Sequence, residues 1–420
     1  MSLPLLLTRP QGAPPETLDE YRARGGYDGL RRALLGEPAA VTAAVRDAGL
    51  RGRGGASFPT ARKWELAALQ PGGAAGDKYV VANGGEHEPG SSKDRHLVEH
   101  YPHAVLEGLL LCGYATGARR GWLYLIEDMQ GPLRSAERAL AEARAQGLLG
   151  GAVLGTTFAF DVEVHRAPTT YVAGEETAAL NSIEQKPAKP RKKPPFPGEQ
   201  GLFGRPTTVN NVETLAHVAW IARHGAAAFA AIGTAESKGT LLFTLGDEVQ
   251  RPGIHELPFG TTFRQLIEEH GGGLRSGRAV RAVLPARSCG FLGAEHLDVP
   301  IAYETLLPLG SSPGCGGVTV IDDGADVVAL TLDIARFFMQ EQCGQCPPCR
   351  METNQFVHIL QAVQQGRGPG YAEKLQKLAD FSRKKGFCSL IEMAAAPVLS
   401  AVRVFADDFA RAAGPGAAGA

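Results

Sequence analysis

Three cysteines share one short stretch of this chain, Glu341-Gln342-Cys343-Gly344-Gln345-Cys346-Pro347-Pro348-Cys349-Arg350, and Cys388 follows at a distance. Spacings of two residues allow neighbouring thiolates to turn toward one metal centre. Gly344 and the proline pair interrupt a helix, so we expect a loop here. Three clustered cysteines with one remote partner are typical of a cubane iron–sulfur site, and they predict a chain that carries electrons.

Other uses of these cysteines fit the spacing less well. A zinc site of four cysteines usually pairs two CxxC units, whereas three of these cysteines lie in one loop. The 7 cysteines are an odd number in a chain of 420 residues without a secretory signal, which argues against a disulfide framework. Unligated buried thiols remain the bland alternative, and Cys112, in an apolar run, is expected in the core.

Composition is that of an ordinary globular protein large enough for two or three domains. Hydrophobic residues make up 44% and charged residues 21%, with a formal net charge of −1. No basic field for nucleic acid is evident, and no apolar run is long enough for direct membrane insertion. We therefore expect a cytoplasmic location, and a reducing compartment suits the cysteine loop.

Strand and helix patterns alternate in the first half of the chain. Residues 79–83, 121–126 and 160–165 read as strands, and residues 97–114 and 132–146 read as helices. Alternation of this kind predicts a parallel sheet with helices on its faces.

A second unit begins near residue 238. Strands are predicted at 240–245, 253–257, 280–285 and 317–321, with one helix at 262–270, which together suggest a small mixed sheet. Helices are predicted at 327–342, 350–365, 371–382 and 391–412, a four-helix bundle that holds a cluster between its loops. The predicted domains are 1–236, 237–325 and 326–420.

A glycine-rich loop at 50–60 is the first candidate ligand site. Its sequence is Leu50-Arg51-Gly52-Arg53-Gly54-Gly55-Ala56-Ser57-Phe58-Pro59-Thr60. Glycines let backbone N–H groups approach a phosphate or a flat ring closely. An ordinary flexible turn is the alternative, and Phe58 is more often a core residue than a stacking platform.

Polar clusters at element ends supply further candidates. Asn83 is followed by Glu86 and Glu88 directly after a strand, where open α/β sheets bind ligands. Other clusters are Glu175-Glu176, Asn210-Asn211, and Lys193 with Phe196 in a proline-rich loop. Helix capping is the competing role for the acids and amides, and plain surface exposure for Lys193 and Phe196.

Taken together, these motifs resemble the flavin-bearing NADH dehydrogenase subunit of respiratory complex I (the F or 51 kDa subunit) and its relatives in NAD-linked hydrogenases and formate dehydrogenases. The matching stretches lie at 52–64, 83–95, 174–182 and 193–215 and in the cysteine loop with Cys388. The resemblance implies a Rossmann-like FMN domain, a ubiquitin-like β-grasp domain and a helical bundle with a [4Fe–4S] cluster.

The resemblance also implies residue roles. FMN would be held by Gly52, Gly54, Gly55, Phe58, Lys63, Asn83, Asn210 and Asn211. NADH would contact Phe58, Glu88, Glu175, Glu176, Lys193 and Phe196, with Glu176 disfavouring a ribose 2′-phosphate. The predicted cofactor-binding set further includes Arg53, Ala56, Glu86, Tyr171, Gly174 and Thr208. The cluster ligands would be Cys343, Cys346, Cys349 and Cys388.

Several positions depart from the family pattern. The family usually has glycine where this chain has Ser57 and Ala61, and it reads N-A-D-E-S-E-P-G where this chain has Gly84, Gly85 and His87. Gly85 thus replaces a carboxylate expected to hydrogen-bond FMN. Every cysteine is retained, so the pattern suggests a divergent paralogue whose cluster is better preserved than its flavin pocket.

Two functions follow from this resemblance. In the first, hydride passes from NADH to FMN, and single electrons pass to the cluster and onward to a thioredoxin-like [2Fe–2S] subunit and a larger iron–sulfur subunit, as in NADH:quinone oxidoreductases. Those partners would place the chain peripheral to the inner membrane. In the second, the chain is a cluster-bearing electron-transfer or structural subunit whose FMN and NADH binding is weakened.

Overall fold

A four-stranded parallel sheet organises the first half of the chain. The computed structural model describes residues 4–10, 12–71 and 77–414. The strands are β1 (Tyr79–Gly84), β2 (Arg120–Ile126), β3 (Asp161–Ala167) and β4 (Thr207–Asn211), in the order β3-β2-β1-β4. The chain moves outward from β1 to β3 and then crosses to the other side of β1, so a topological switch point lies between β1 and β4. The predicted α/β fold is confirmed.

Helices cover both faces of this sheet, as buried parallel strands require. They are α1 (Leu18–Ala23), α2 (Asp28–Ala33), α3 (Pro38–Asp47), α4 (Thr60–Leu69), α5 (Lys93–His100), α6 (Pro102–Thr116), α7 (Gln130–Ala145), α8 (Glu176–Ile183), α9 (Pro197–Gln200), α10 (Val212–His224) and α11 (Ala226–Ala230). The single helix predicted at 97–114 is wrong. It is divided at Tyr101, because Pro102 lacks an N–H and begins α6 at its first position.

A five-stranded mixed sheet forms the second unit. Its strands are β5 (Thr240–Leu245), β6 (Gly253–Pro258), β7 (Val280–Leu284), β8 (Leu292–Gly293) and β9 (Gly317–Asp322), in the order β6-β5-β9-β7-β8. The predicted helix at 262–270 is a short α12 (Phe263–Gln265) that continues as a π-helical turn at Leu266–His270. Another single turn, α13 (Tyr303–Leu306), precedes β9.

The remainder of the described chain is helical. Its helices are α14 (Val327–Glu341), α15 (Pro347–Gln364), α16 (Tyr371–Ser382), α17 (Leu390–Val404) and α18 (Ala406–Ala413). Two expectations need correction. Pro347 and Pro348 begin α15 rather than continue the loop, since the first helical positions need no N–H donor. The fourth predicted helix breaks at Phe405, whose buried ring packs edge-on against Phe291.

Buried polar contacts join the two sheets. Glu213, at the start of α10, accepts a hydrogen bond of 2.9 Å from the Leu242 N–H in β5. Its other oxygen lies 2.7 Å from Lys93 Nζ, and both side chains are almost fully buried. Lys93 compensates the buried charge of Glu213. The hydrogen bond from the Leu242 N–H joins α10 to the second sheet. Within the described part of the chain, no helix is long and apolar enough to cross a membrane.

Candidate active site

The carboxyl ends of β1 and β4 form the crevice at the switch point. Asn83 and Asn211 are register partners at this edge. Asn83 Nδ2 donates to the Gly174 carbonyl at 2.9 Å, and Asn211 Nδ2 donates to Asp94 Oδ2 at 2.6 Å. Ligands bind at this position in open α/β sheets. The structure therefore brings two predicted site residues to the expected edge, each held in a fixed orientation.

The glycine loop folds back onto this crevice. It is closed by a hydrogen bond of 3.0 Å from the Gly52 N–H to the Phe58 carbonyl. A Cβ on Gly54 would lie 3.2 Å from Asn211 Cβ, and Gly55 has a φ of +101°. Both positions thus favour glycine, one for close approach and one for its backbone conformation. The loop presents backbone rather than side chains to the strand ends.

Two aromatic rings near the crevice are exposed. Phe58 is 42% exposed and Phe196 is 56% exposed, although large aromatic side chains normally avoid water. Ala56 is also exposed, beside Ser57, which has a φ of +52° in the left-handed region. Core packing, the alternative for Phe58, is wrong. Exposed rings of this kind can stack on the flat rings of a nucleotide or a flavin.

The start of α4 suits a phosphate group. No side chain caps this helix, and the buried hydroxyl of Thr60 at its first position has no protein partner among the described residues. The buried hydroxyl of Thr208 in β4 likewise has none within the described ranges. Lys63, one turn into α4, donates to the Val209 carbonyl at 3.0 Å. Uncapped helix N-termini with a nearby cation bind phosphates, so these residues fit FMN.

Glu175, Glu176 and two lysines form an ion-pair cluster beside α4. Lys193 Nζ lies 2.8 Å from Glu175 Oε1 and 3.1 Å from Glu176 Oε1. Lys63 Nζ lies 3.4 Å from Glu176 Oε2. Glu175 also caps α8 by accepting from the Thr177 N–H at 2.8 Å. Helix capping, the alternative role, is thus correct for Oε2 of Glu175. Both oxygens of Glu176 instead pair with the two lysines.

Charge pairing decides the ionisation of this cluster. Burial alone would raise the pKa of Glu176, but Lys63 and Lys193 together outweigh burial and lower it. Burial would lower the pKa of Lys193, but Glu175 and Glu176 raise it. Glu176 and Lys193 are therefore charged at neutral pH, and Glu176 carries a negative charge beside Lys63 of α4.

The Glu86 side chain caps the start of α5. Its oxygens accept from the Asp94 and Arg95 N–H groups, both at 3.1 Å, and from the Ser91 hydroxyl. These contacts satisfy the start of α5. Glu86 therefore acts as a buried helix cap, and its cofactor-binding role stays a prediction.

Glu88 joins three parts of the chain. Its Oε2 accepts from the Tyr171 hydroxyl at 2.8 Å, and its Oε1 accepts from the Ser288 N–H at 3.1 Å. Burial raises the pKa of Glu88, and these hydrogen bonds partly offset that effect. Tyr171 in turn donates its N–H to Glu341 Oε2 at 2.8 Å, directly before the cysteine loop. The carboxylate therefore couples the crevice to the second sheet and to the helical region.

Gly85 is packed against a tyrosine ring. A Cβ at this position would lie 3.0 Å from Tyr124 Cε1 and 3.1 Å from Asn83 Oδ1. Tyr124 is buried, donates to the Ala173 carbonyl at 2.9 Å, and stacks on His165. The ring thus occupies the space next to residue 85, and a side chain there requires its neighbours to move.

Two further predicted site residues direct their side chains elsewhere. The Arg53 guanidinium is buried against the second sheet, where it donates to the Thr240 carbonyl at 3.0 Å. Asn210 accepts from Trp64 Nε1 at 3.3 Å within the core and is 6% exposed. Both side chains thus contact other parts of the protein, and their cofactor-binding roles stay predictions.

All four predicted cluster cysteines line one cavity. Cys343 and Cys346 lie in the loop before α15, Cys349 lies in its first turn, and Cys388 precedes α17. The Phe387 N–H lies 3.2 Å from Cys346 Sγ, and Gln345 Nε2 lies 3.5 Å from Cys343 Sγ. Donors aimed at sulfur are characteristic of cluster sites, where they tune the potential. The thiols and their surroundings fit an iron–sulfur cluster.

The same cavity is a poor site for a single zinc ion. Sulfurs around tetrahedral zinc lie about 3.8 Å apart, because Zn–S bonds are about 2.3 Å long. Among the described residues, no three His, Cys, Asp or Glu side chains are close enough to hold one ion. The four thiols therefore do not converge on one ion, which is the arrangement that a tetrahedral zinc site needs.

The cavity lined by the four cysteines lies against the chain segment that carries Lys193. Val172 and Pro190 line it together with the cysteines. Gln345 donates from Nε2 to the Pro190 carbonyl at 2.9 Å. Pro190 is only three residues from Lys193, so the segment that bears Lys193 is in direct contact with the cysteine loop.

Sequence reasoning missed several residues of this site. Tyr124 is the register partner of Asn83, so its position on the neighbouring strand is a usable signal. Ser288 and Glu341 reach the site through contacts between distant parts of the chain, for which no local pattern exists. His87 stands out in the sequence only as a departure from the family, yet its buried Nε2 has no partner among the described residues. Burial lowers the pKa of His87 to about 4.

A crevice at the strand ends, a cluster of ion pairs beside α4 and a four-cysteine cavity in one chain fit an iron–sulfur flavoprotein. Comparison with family models supports this class. Residues 45–220 match the Nuo51 FMN-binding domain, residues 244–287 match the SLBB domain, and residues 329–412 match the NADH-ubiquinone oxidoreductase-F iron–sulfur binding region.

The similarity to relatives extends over nearly the whole chain. The F subunit of NADH-quinone oxidoreductase from Escherichia coli (strain K12) is 40% identical over 94% of this chain and 89% of its own length. The F 2 subunit of the same enzyme from Rhizobium meliloti (strain 1021) is 41% identical over 97% and 96%. The NADP-reducing hydrogenase subunit HndC of Solidesulfovibrio fructosivorans is 39% identical over 94% and 80%. The chain belongs to the family of NADH-quinone oxidoreductase F subunits.

Solved structures show the same fold. An NAD+-reducing [NiFe]-hydrogenase in the H2-reduced state aligns with a TM-score of 0.82 at 32% identity, covering 98% of this chain and 67% of that chain. In the air-oxidized state the TM-score is 0.78 at 34% identity, covering 90% and 63%. About a third of each hydrogenase chain thus lies outside the match. The predicted family, the FMN and iron–sulfur cofactors, and NADH dehydrogenase activity are confirmed at the level of the family.

Proposed function

We propose that this chain oxidises NADH in the crevice at the ends of β1 and β4 and delivers the electrons to a cluster held by Cys343, Cys346, Cys349 and Cys388. FMN bound in this crevice would supply the chemistry that converts hydride oxidation of NADH into single-electron transfer. The contact between Gln345 and the Pro190 carbonyl carries the proposal, because it joins the cluster loop to the segment that bears Lys193. Electron transfer requires that the two sites be close.

The chain's own residues would bind and orient FMN and NADH and would exclude water from them. The glycine loop and the start of α4 would hold the FMN phosphate and ribityl chain, with Lys63, Asn83 and Asn211 beside them. Phe58 and Phe196 would present aromatic faces to NADH. Glu176 would repel a ribose 2′-phosphate, since Lys63 and Lys193 hold it ionised. No side chain need act as an acid or base, because the cofactor supplies the chemistry.

Partner subunits would take the electrons onward. The relatives are named as subunits, which supports a place for this chain in a larger complex with iron–sulfur partners. A thioredoxin-like [2Fe–2S] subunit and a larger iron–sulfur subunit are the proposed neighbours. Through them the chain would lie in the cytoplasm at the periphery of the inner membrane. Affinity purification from the native cell, with mass spectrometry of bound subunits, tests this assignment.

A second function is favoured by two positions in the flavin crevice. Ser57 adopts a left-handed conformation that normally suits glycine, and Gly85 carries no carboxylate. Both could weaken FMN binding and leave a subunit that only relays electrons through its cluster. The flavin content of the purified chain separates the two functions. Stoichiometric FMN supports NADH oxidation, whereas a brown protein without releasable flavin supports the relay.

A further inference from the structure

The four cysteines that line one cavity are not equally covered by protein. Cys346 and Cys349 are each 9% exposed, whereas Cys343 and Cys388 are half-buried. The cavity is therefore closest to water beside Cys343 and Cys388. An electron that leaves a cluster held by these thiols has its shortest route out of the protein past these two residues.

Two exposed aromatic rings lie in the segment that leads to Cys388. Phe387 is 38% exposed, although its N–H lies 3.2 Å from Cys346 Sγ at the wall of the cavity. Phe381, in the last turn of α16, is 55% exposed. Aromatic side chains are mostly buried in folded proteins, and exposed apolar groups that collect beside a functional site mark interaction surfaces.

Exposed cations surround the same segment. Four of them lie within five residues of a predicted cluster ligand: Arg350, Arg383, Lys384 and Lys385. Lys385 Nζ lies 3.7 Å from the centroid of the Phe381 ring, so this cation and this ring belong to one surface. Among the ion pairs of the described residues, none involves any of the four cations. We call the two rings and the four cations the exit face.

The acids near the exit face do not cancel its charge. Glu352 is 1% exposed and lies in the interior. Glu392 accepts a hydrogen bond of 2.7 Å from the Lys384 N–H, which fixes the turn that carries the lysines. The whole chain has a formal net charge of −1, so the positive charge at the exit face is a local concentration.

We infer that the exit face docks a small protein electron carrier whose own redox centre is ringed by carboxylates. The inference rests on the proposed function only in that the four cysteines hold a redox-active cluster. Protein interfaces combine an apolar centre with a polar rim, and electron-transfer encounters are among the smallest of them. Two exposed rings with four cations around them fit a brief encounter that is steered by charge.

The proposed step moves one electron and no atoms. The electron leaves the cluster and reduces the iron of the carrier from Fe³⁺ to Fe²⁺, with no bond formed or broken and no proton transferred. The cations would hold the acidic carrier with its iron toward Cys388. Steering of this kind acts on the rate of encounter, which is therefore sensitive to salt.

Rapid mixing of the reduced holoprotein with oxidised rubredoxin tests the inference. Rubredoxin is a small acidic protein with one iron, and its loss of colour on reduction gives a second-order rate constant. The holoprotein is reduced with dithionite and freed of excess reductant, so the measurement requires no NADH. Bleaching of the flavin by NADH in the same preparation tests the proposed function separately. The rate constant should fall about tenfold or more between about 0.01 M and about 0.3 M salt.

Reversal of the two lysine charges gives the matching variant. At about 0.1 M salt, where charges more than about 10 Å apart are largely screened, Lys384→Glu/Lys385→Glu should lower the rate constant about tenfold. Lys374→Glu/Lys377→Glu is the matched control, because it makes the same change of charge at exposed positions in the first half of α16. The control should lose clearly less. Iron content, sulfide content and the thermal midpoint show whether each variant keeps its cluster.

Equal rate constants in Lys384→Glu/Lys385→Glu and the parent would overturn the inference. So would a parent rate constant that does not fall with salt. If the double variant loses its cluster, the parent decides the question, since salt should slow the reaction with acidic rubredoxin and speed the reaction with basic cytochrome c. A rubredoxin reaction that is insensitive to salt, with the parent bound to phosphatidylserine vesicles, would overturn the inference and assign the cations to a membrane surface.

Discussion

The Tyr171 hydroxyl donates a hydrogen bond of 2.8 Å to Glu88 Oε2, joining the turn before α8 to the residues that follow β1. The same tyrosine ring packs edge-on against Phe337 and Phe338 of α14. One side chain thereby contacts the crevice and the helical region that holds the cysteines. Its removal should affect both.

Tyr171→Phe should destabilise the protein most where Glu88 is ionised. Burial raises the folded pKa of Glu88 above its ordinary value, so this carboxyl favours folding below that value and opposes it as pH rises through the folded pKa. The tyrosine hydrogen bond stabilises the ionised form, and its loss should cost about 1–3 kcal/mol. Thermal midpoints at about pH 5 and about pH 8 should show the larger loss at the higher pH.

Tyr114→Phe is the matched control for this prediction. Its hydroxyl donates to the Gly36 carbonyl at an exposed position, with no carboxylate involved. The loss of stability in that variant should be small and independent of pH. A pH-independent loss in Tyr171→Phe would show that Glu88 is not the partner that matters.

Gly85→Asp should crowd the Tyr124 ring. The new Cβ would lie 3.0 Å from Tyr124 Cε1, so the ring must shift or the backbone must move. We expect a loss of about 1–3 kcal/mol in the free energy of unfolding. In a Tyr124→Ala background the additional loss from Gly85→Asp should shrink by about 1 kcal/mol or more.

Tyr124→Phe separates the ring from its hydroxyl. This variant keeps the ring and loses only the hydrogen bond to the Ala173 carbonyl. Gly85→Asp should therefore be as harmful in it as in the parent. Additive effects in the Tyr124→Ala background would mean that the ring does not oppose a side chain at residue 85.

Ser57→Gly should stabilise the glycine loop. Ser57 has a φ of +52°, where a Cβ costs roughly 1–2 kcal/mol and glycine has no such penalty. Part of that gain is lost to the freer unfolded chain, so a net gain of about 0.5–1 kcal/mol is expected by thermal unfolding. Ser57→Ala keeps the Cβ and should show no gain. An equal gain in both variants would point to the hydroxyl instead of the backbone.

Glu176→Gln should raise activity with NADPH. The substitution removes the negative charge and leaves Lys63 and Lys193 able to pair with a 2′-phosphate. We expect kcat/KM for NADPH to rise about tenfold, equivalent to about 1.4 kcal/mol, with a smaller change for NADH. Adding Lys193→Met should remove most of the gain. If NADPH activity does not rise in Glu176→Gln, this carboxylate does not set the preference.

Local patterns predicted most of the elements, because alternation and helical periodicity depend on near neighbours. The strand at 240–245 has the predicted bounds, and the cysteine spacing correctly indicated one shared cavity. The breaks within predicted helices were harder to predict. Tyr101 and Phe405 interrupt predicted helices, and the Phe405 break accompanies its packing against Phe291, a contact that no short window contains.

Site roles were harder to predict than site locations. Glu86 and Glu88 are two residues apart and chemically alike, yet one caps α5 and the other binds Tyr171. Arg53 lies within the glycine loop, but its side chain reaches the Thr240 carbonyl of the second sheet. Such choices depend on partners far away in the sequence. Glu175, by contrast, has a role that its position before an apolar helix revealed in part.

Anaerobic titration of the purified holoprotein with NADH tests the central claim most directly. Flavin absorbance and the electron paramagnetic resonance of the cluster are followed together, with Cys388→Ser as a variant that lacks one cluster ligand. The account predicts that NADH bleaches the flavin in both proteins and reduces an intact cluster only in the parent. A parent protein that contains both FMN and the cluster, yet is neither bleached nor reduced by NADH, would contradict it.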